Sequence, residues 1–209
     1  MNIGVLGGTF DPIHLGHLIV AEETRSQLDL AEVLFMPARE PWLKANNDIS
    51  PAAHRVQMVR LAIADEPAFK MSTMEIERAG PSYTMDTIAE LKGQIGVGDK
   101  LFFILGWDNL IQLPQWHEPS RLVQMCRLVA VPRVGYPHPK LKTLAAAISG
   151  LSQSVILLNT PQIEISSSEI RQRVARGLSI HHLVPEPVER YIRQHGLYTQ
   201  NSGWAIKPG

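Results

Sequence analysis

Apolar residues follow two alternating rhythms along the chain. Short apolar runs bounded by Gly or Pro predict strands at Asn2–Leu6, Glu32–Met36, Arg127–Val131 and Val155–Leu158. Leu101–Leu105 is an unbroken apolar run, the pattern of a strand buried on both faces. Phe69–Ile76 alternates weakly and gives a further strand. Helical spacing lies between these runs. Leu15–Leu28 gathers Leu15, Leu18 and Ile19 on one side, with Glu22, Glu23 and Arg25 elsewhere. A helix is expected after Ser50-Pro51, as an N-cap followed by Pro at the first helical position, with Val56, Val59 and Ile63 inward. Further helices are predicted at Thr84–Lys92, Pro119–Met125, Lys140–Ser149, Ser167–Arg176 and Pro187–Gln194. The segment Pro37–Asn47 reads as a loop.

Strand and helix alternate from the first residues. That order predicts an α/β fold, a Rossmann-like doubly wound parallel sheet with C-terminal helices. Residues 1–199 are expected to form one domain, followed by a flexible tail over 200–209. Such sheets bind ligands beyond the C-terminal ends of their strands, so chemistry should be sought in the loops after strands.

Composition narrows the partners. Among 209 residues, 44% are apolar, enough for a sizeable core. Lys plus Arg and Asp plus Glu are 20 each, so the broad positive field of a nucleic-acid binder is missing. Cys126 is the single cysteine, which excludes an intrachain disulfide and a thiolate zinc cluster. No apolar run nears the ~20 residues of a membrane span, and no secretory signal opens the sequence. A cytoplasmic protein is expected, without nucleic acid or membrane partners.

The first loop after a strand runs Gly7-Gly8-Thr9-Phe10-Asp11-Pro12-Ile13-His14-Leu15-Gly16-His17. It lacks the Gly-x-Gly-x-x-Gly of a dinucleotide fold and the Gly-Lys-Ser/Thr of a P-loop. A metal would need more ligands than Asp11, His14 and His17, and would face the positive end of a helix. An anion suits the place better. Gly7 and Gly8 let backbone amides approach it, the helix start supplies more amides, and His14 and His17 can donate from the first turn. Gly16 between them would leave room for a ligand.

A second anion site is suggested at Ser166-Ser167-Ser168-Glu169-Ile170-Arg171. Ser166 and Glu169 have the spacing of a capping box. Ser167 and Ser168 then occupy the first turn, with Arg171 on their face.

The segment Gly8–His17 resembles the signature of the nucleotidyltransferase superfamily with the His-x-Gly-His motif, and Ser168-x-x-Arg171 its partner motif for the triphosphate. Phosphopantetheine adenylyltransferases share the first motif but are shorter and usually carry Thr-Asn where this chain has His14-Leu15. From Asn2 to about Tyr198 the chain is more similar to bacterial nicotinate-nucleotide adenylyltransferases. The similarity is carried by Pro37–Lys44, Pro81–Thr87, Gly106–Leu110, Leu113–Trp116 and Pro132-Arg133.

The resemblance implies transfer of AMP from ATP to nicotinate mononucleotide, with Mg²⁺ accompanying ATP. It implies an ATP site of Gly7, Gly8, Thr9, Phe10, His14, His17, Gly106, Arg133, Ser167, Ser168 and Arg171. Catalytic donors would be His14, His17, Lys44 and Arg171. Asp108 would lie near the mononucleotide ribose and phosphate, Trp116 would stack on the pyridine, and Lys44 would bind phosphate from its loop. Amides at the helix start Tyr83-Thr84 would suit the nicotinate carboxylate. Another phosphorylated acceptor, such as nicotinamide mononucleotide or phosphopantetheine, and a nucleotide sensor without chemistry stay open alternatives, as does a homo-oligomer.

Overall fold

The computed structural model describes residues 1–39, 49–80, 82–161 and 163–199. Six parallel strands form one sheet in the order β3-β2-β1-β4-β5-β6. They are β1 (Asn2–Gly8), β2 (Glu32–Pro37), β3 (Phe69–Met71), β4 (Lys100–Gly106), β5 (Arg127–Val131) and β6 (Val155–Leu157). The chain steps outward from β1 through β2 to β3, then returns to the other side of β1 to build β4, β5 and β6. The order therefore reverses between β1 and β4, the switch point at which sheets of this kind have their ligand-binding crevice, beyond the C-terminal ends of the strands.

Both faces of the sheet are buried, which explains the unbroken apolar run of β4. Leu101, Phe103 and Leu105 point into one core, beneath α4 (Thr84–Gln94) and α6 (Pro119–Met125). Phe102 and Ile104 point into the other, beneath α1 (Leu15–Gln27), α2 (Ala52–Ala62) and α10 (Glu186–Gln194). Val188 and Ile192 of α10 are buried in the same core as Met58 and Val59 of α2, and the two helices touch.

Several elements differ from their sequence-based expectation. β3 stops at Met71, and Met74–Glu77 forms a short helix, α3. Ser72 Oγ accepts the Met74 N–H and the Thr73 carbonyl accepts the Glu77 N–H, so hydroxyl residues turn the chain out of the sheet. Ser50 does not cap α2; Pro51 holds that position. The Ser50 N–H goes to Asp11 and its carbonyl to Arg55, which draws the residue toward the first loop. Lys140–Ser149 narrows to α7 (Leu141–Ala147), and Gly150, at φ 86°, opens the separate short α8 (Leu151–Ser154). α5 (Trp107–Gln112) follows β4 directly and was too short to show a period.

Candidate active site

The loop after β1 is held by its carbonyls. That of Gly8 accepts the Ala38 N–H at 2.9 Å, and that of Thr9 accepts from Arg55 at 2.8 Å. The Asp11 carbonyl accepts from Arg171 at 2.7 Å, and the Pro12 carbonyl from the Ser167 hydroxyl at 2.9 Å. The last two donors belong to α9 (Ser167–Ala175), more than 150 residues away in sequence. The starts of α1 and α9 are thereby brought to one place. Asp11 is buried, and its carboxylate accepts the Tyr198 hydroxyl at 2.7 Å and the Ser50 N–H at 3.2 Å.

His14 is the residue before α1 and His17 lies in its first turn; their rings stack with centroids 3.7 Å apart. The His14 N–H donates to Nδ1 of His17 at 3.2 Å. A nitrogen that accepts carries no proton, so in the neutral ring His17 holds its proton on Nε2. Phe10 sets the ring from the side, edge-on at 5.0 Å. Burial, reinforced by the charge of Arg133, pushes His14 down to about 3, so its imidazole is neutral at physiological pH. Its Nδ1 is buried without a hydrogen-bond partner among the described residues. The space over Gly16 is not open to a ligand: a Cβ there would meet Nδ1 of His14 at 3.0 Å, so this glycine makes room for the ring itself. Gly7 and Gly8 likewise end β1 in register with Met36 and Pro37. A Cβ on Gly8 would meet the Phe10 ring at 3.0 Å. The left-handed residue of the loop is Phe10, at φ 50°.

The second anion motif opens α9. Ser166 Oγ accepts the Glu169 N–H at 3.1 Å, half of the anticipated capping box. The Ser167 hydroxyl is committed to Pro12, so its side chain braces the first loop. Ser168 is exposed and accepts from Arg171 at 3.4 Å. Arg171 thus spans the two motifs.

Across the crevice, Gly106 ends β4 and α5 begins. A Cβ on Gly106 would overlap Oδ1 of Asp108, so the carboxylate folds back over the glycine. That Oδ1 is buried without a partner among the described residues, whereas Oδ2 lies 4.0 Å from Nε of Arg133. Trp116 follows a 3₁₀ turn at Leu113–Gln115 and sets its ring edge-on to Phe103 at 6.1 Å. Its neighbour His117 lies 4.7 Å from the Tyr83 ring. Tyr83 caps α4, and Thr84 is the first helical residue. Beneath this turn Glu75 is buried and accepts the Thr87 hydroxyl at 2.7 Å; burial pushes its carboxyl above the usual range. Lys44 lies outside the described residues. Among those described, no group of three His, Cys, Asp or Glu side chains could hold a metal ion.

Arg55, Tyr198 and Glu75 are buried polar residues around the site and were not anticipated. For Arg55 the signal was present: it stands four residues before Val59, an arginine on the inward face of an apolar helix. Tyr198 and Glu75 carry no comparable local mark.

Fold and site together define an α/β nucleotide-binding domain whose switch-point crevice gathers two helix starts and a histidine pair. The family model for cytidylyltransferase-like proteins matches residues 5–173. Relatives narrow the class. A probable nicotinate-nucleotide adenylyltransferase of Dehalococcoides mccartyi (strain ATCC BAA-2266 / KCTC 15142 / 195) is 50% identical over 95% of this chain and 97% of its own length. One from Roseiflexus sp. (strain RS-1) is 47% identical over 94% and 97%. The chain belongs to the nicotinate-nucleotide adenylyltransferase family, within the cytidylyltransferase-like proteins. The fold also matches Plasmodium falciparum nicotinic acid mononucleotide adenylyltransferase complexed with NaAD. There the TM-score is 0.76 at 22% identity, covering 94% of this chain and 97% of that one.

Proposed function

We propose that the protein transfers the adenylyl group of ATP to nicotinate mononucleotide, yielding nicotinate adenine dinucleotide and pyrophosphate in NAD biosynthesis. The observation that carries this reading is the bonding of α9 to the first loop through Ser167–Pro12 and Arg171–Asp11. Two helix N-termini then share one anion site at the switch point. The acceptor side is assigned to Asp108, Trp116, Tyr83 and Thr84, at the C-terminal end of β4 and the start of α4. The family relatives favour the same acceptor.

The 5′-phosphate of the mononucleotide is mostly dianionic at pH 7, its second pKa being near ~6. Its oxygen attacks the α-phosphorus of ATP without a general base. The new P–O bond forms in line as the bond from the α-phosphorus to the bridging oxygen breaks, and pyrophosphate leaves with the electron pair. His17 donates through Nε2 to the charge that develops, while neutral His14 adds polarity without charge. Ser168, Arg171, Arg133, Gly106 and the amides of the first loop are assigned to the triphosphate, and Lys44 to phosphate binding. Mg²⁺ is read as arriving with the triphosphate as MgATP. The described helices include none long and apolar enough to cross a membrane, and a cytoplasmic location fits the substrates.

The test is a parallel rate comparison with MgATP and either nicotinate or nicotinamide mononucleotide, reading pyrophosphate and dinucleotide together. Formation of nicotinate adenine dinucleotide with a clear preference for the acid is expected. ATP binding without pyrophosphate release would instead support a nucleotide sensor.

A further inference from the structure

Arg55 is 1% exposed and heads the fully buried side chains by size, yet the hydrogen bonds it makes within the described structure all go to carbonyls. Nη1 donates to Thr9 at 2.8 Å and Ala38 at 2.7 Å, Nε to Ser50 at 3.0 Å, and Nη2 to Arg39 at 3.3 Å. Its nearest counter-charge, Asp11, is engaged with Tyr198 and Ser50. Burying a cation is costly, and a well-packed apolar side chain often stabilises as well or better. Stability alone therefore does not account for an arginine. Its planar fork does something an apolar residue cannot: it holds carbonyls from the first loop, the end of β2 and the approach to α2 at fixed angles.

The consequence follows from peptide planarity. In a trans peptide the carbonyl and the next N–H point in opposite directions. The cis bond of this loop is Asp11-Pro12, so the Thr9–Phe10 peptide is trans. With the Thr9 carbonyl drawn to Arg55 in the interior, the Phe10 N–H is aimed the other way, out of that interior. The Gly8 carbonyl, tied to Ala38, aims the Thr9 N–H away from β2 in the same manner. Phe10 sits at φ 50°, a region costly for a side-chain-bearing residue, and its ring is buried. Arg55 on one side and the buried ring on the other keep that peptide from relaxing.

We propose that Arg55 is a positioning residue that aims the Thr9–Phe10 peptide so that the Phe10 amide meets the triphosphate. This rests on the reading of the first loop as the triphosphate site. A buried arginine thereby sets ATP affinity without touching ATP.

The test is MgATP affinity by calorimetry for wild type, Arg55→Lys and Tyr198→Phe, with melting temperatures and the mononucleotide KM measured alongside. Arg55→Lys keeps the charge but donates from one point, so it cannot hold the carbonyl set. It should weaken MgATP by about tenfold or more and leave the mononucleotide KM within about threefold. Tyr198→Phe loosens the same network from the Asp11 side and should lower the melting temperature while leaving MgATP affinity in place. Added methylguanidinium should restore MgATP binding to Arg55→Ala. Unchanged MgATP affinity in folded Arg55→Lys overturns the proposal, as does equal loss in Arg55→Lys and Tyr198→Phe. Failure of Arg55→Lys and of methylguanidinium-supplied Arg55→Ala to fold in the cold makes Arg55 a core residue only, and also overturns it. A wild-type protein that does not bind MgATP removes the triphosphate reading itself, and the proposal with it.

Discussion

Acidification should unfold this protein partly through His14. The ring is 4% exposed and is pushed from 6.5 down to about 3, first by burial and then by the charge of Arg133. In the unfolded chain the same ring titrates near its ordinary value. Below pH 6.5 the unfolded state takes up this proton first, so stability falls with pH until about 3, where the folded form protonates as well. Each unit of separation is worth about 1.4 kcal/mol. Between pH 7 and pH 5 the integrated loss is about 2 kcal/mol, a sizeable share of a typical stability of roughly 5–15 kcal/mol. The assay is urea unfolding at pH 7, 6 and 5 for wild type and His14→Gln, which cannot titrate. Groups common to both proteins cancel in the difference. Wild type should lose about 2 kcal/mol more than the variant over this interval. Parallel pH dependences would show that the buried ring takes up its proton in the fold as readily as in the unfolded chain, and would refute the reasoning.

Glu75 should act with the opposite sign. Burial raises its folded pKa, so its contribution to stability is lost as pH rises through that value; Glu75→Gln should gain stability relative to wild type at pH 8 and lose that advantage at pH 4.5, read by the same unfolding curves. His17→Ala should lower kcat about a hundredfold, roughly 3 kcal/mol, with an intact fold; near-normal turnover would remove the Nε2 donor from the mechanism. Trp116→Ala should weaken the mononucleotide by about 1–3 kcal/mol and ATP much less, and separate titrations showing equal losses would leave Trp116 a packing residue against Phe103. Thr84 occupies the first helical position of α4, where proline fits the backbone but lacks the N–H; Thr84→Pro should keep the fold and narrow the preference for nicotinate over nicotinamide mononucleotide, measured as a ratio of kcat/KM.

Sequence alone determined what depends on neighbours along the chain. Hydrophobic period follows from which face a residue buries, so the parallel α/β order was legible, down to Arg127–Val131 and Pro119–Met125, whose ends the structure places where the pattern did. The His14-Leu15-Gly16-His17 step and the Ser166 cap were legible for the same reason: their chemistry lies within one helical turn. Tertiary structure decided everything that joins distant segments. Only the return of α9 to the first loop commits the Ser167 hydroxyl to Pro12, and only the placement of the His14 ring against Gly16 fills the space that looked open to a ligand. Ser50 reads as a helix cap until Asp11 and Arg55 claim its backbone. Whether Arg55 faces solvent or four carbonyls is set by three segments meeting around it. A hydrogen-bond donor is spent on whatever the fold brings within about 3 Å, and that proximity is not written in the residues on either side.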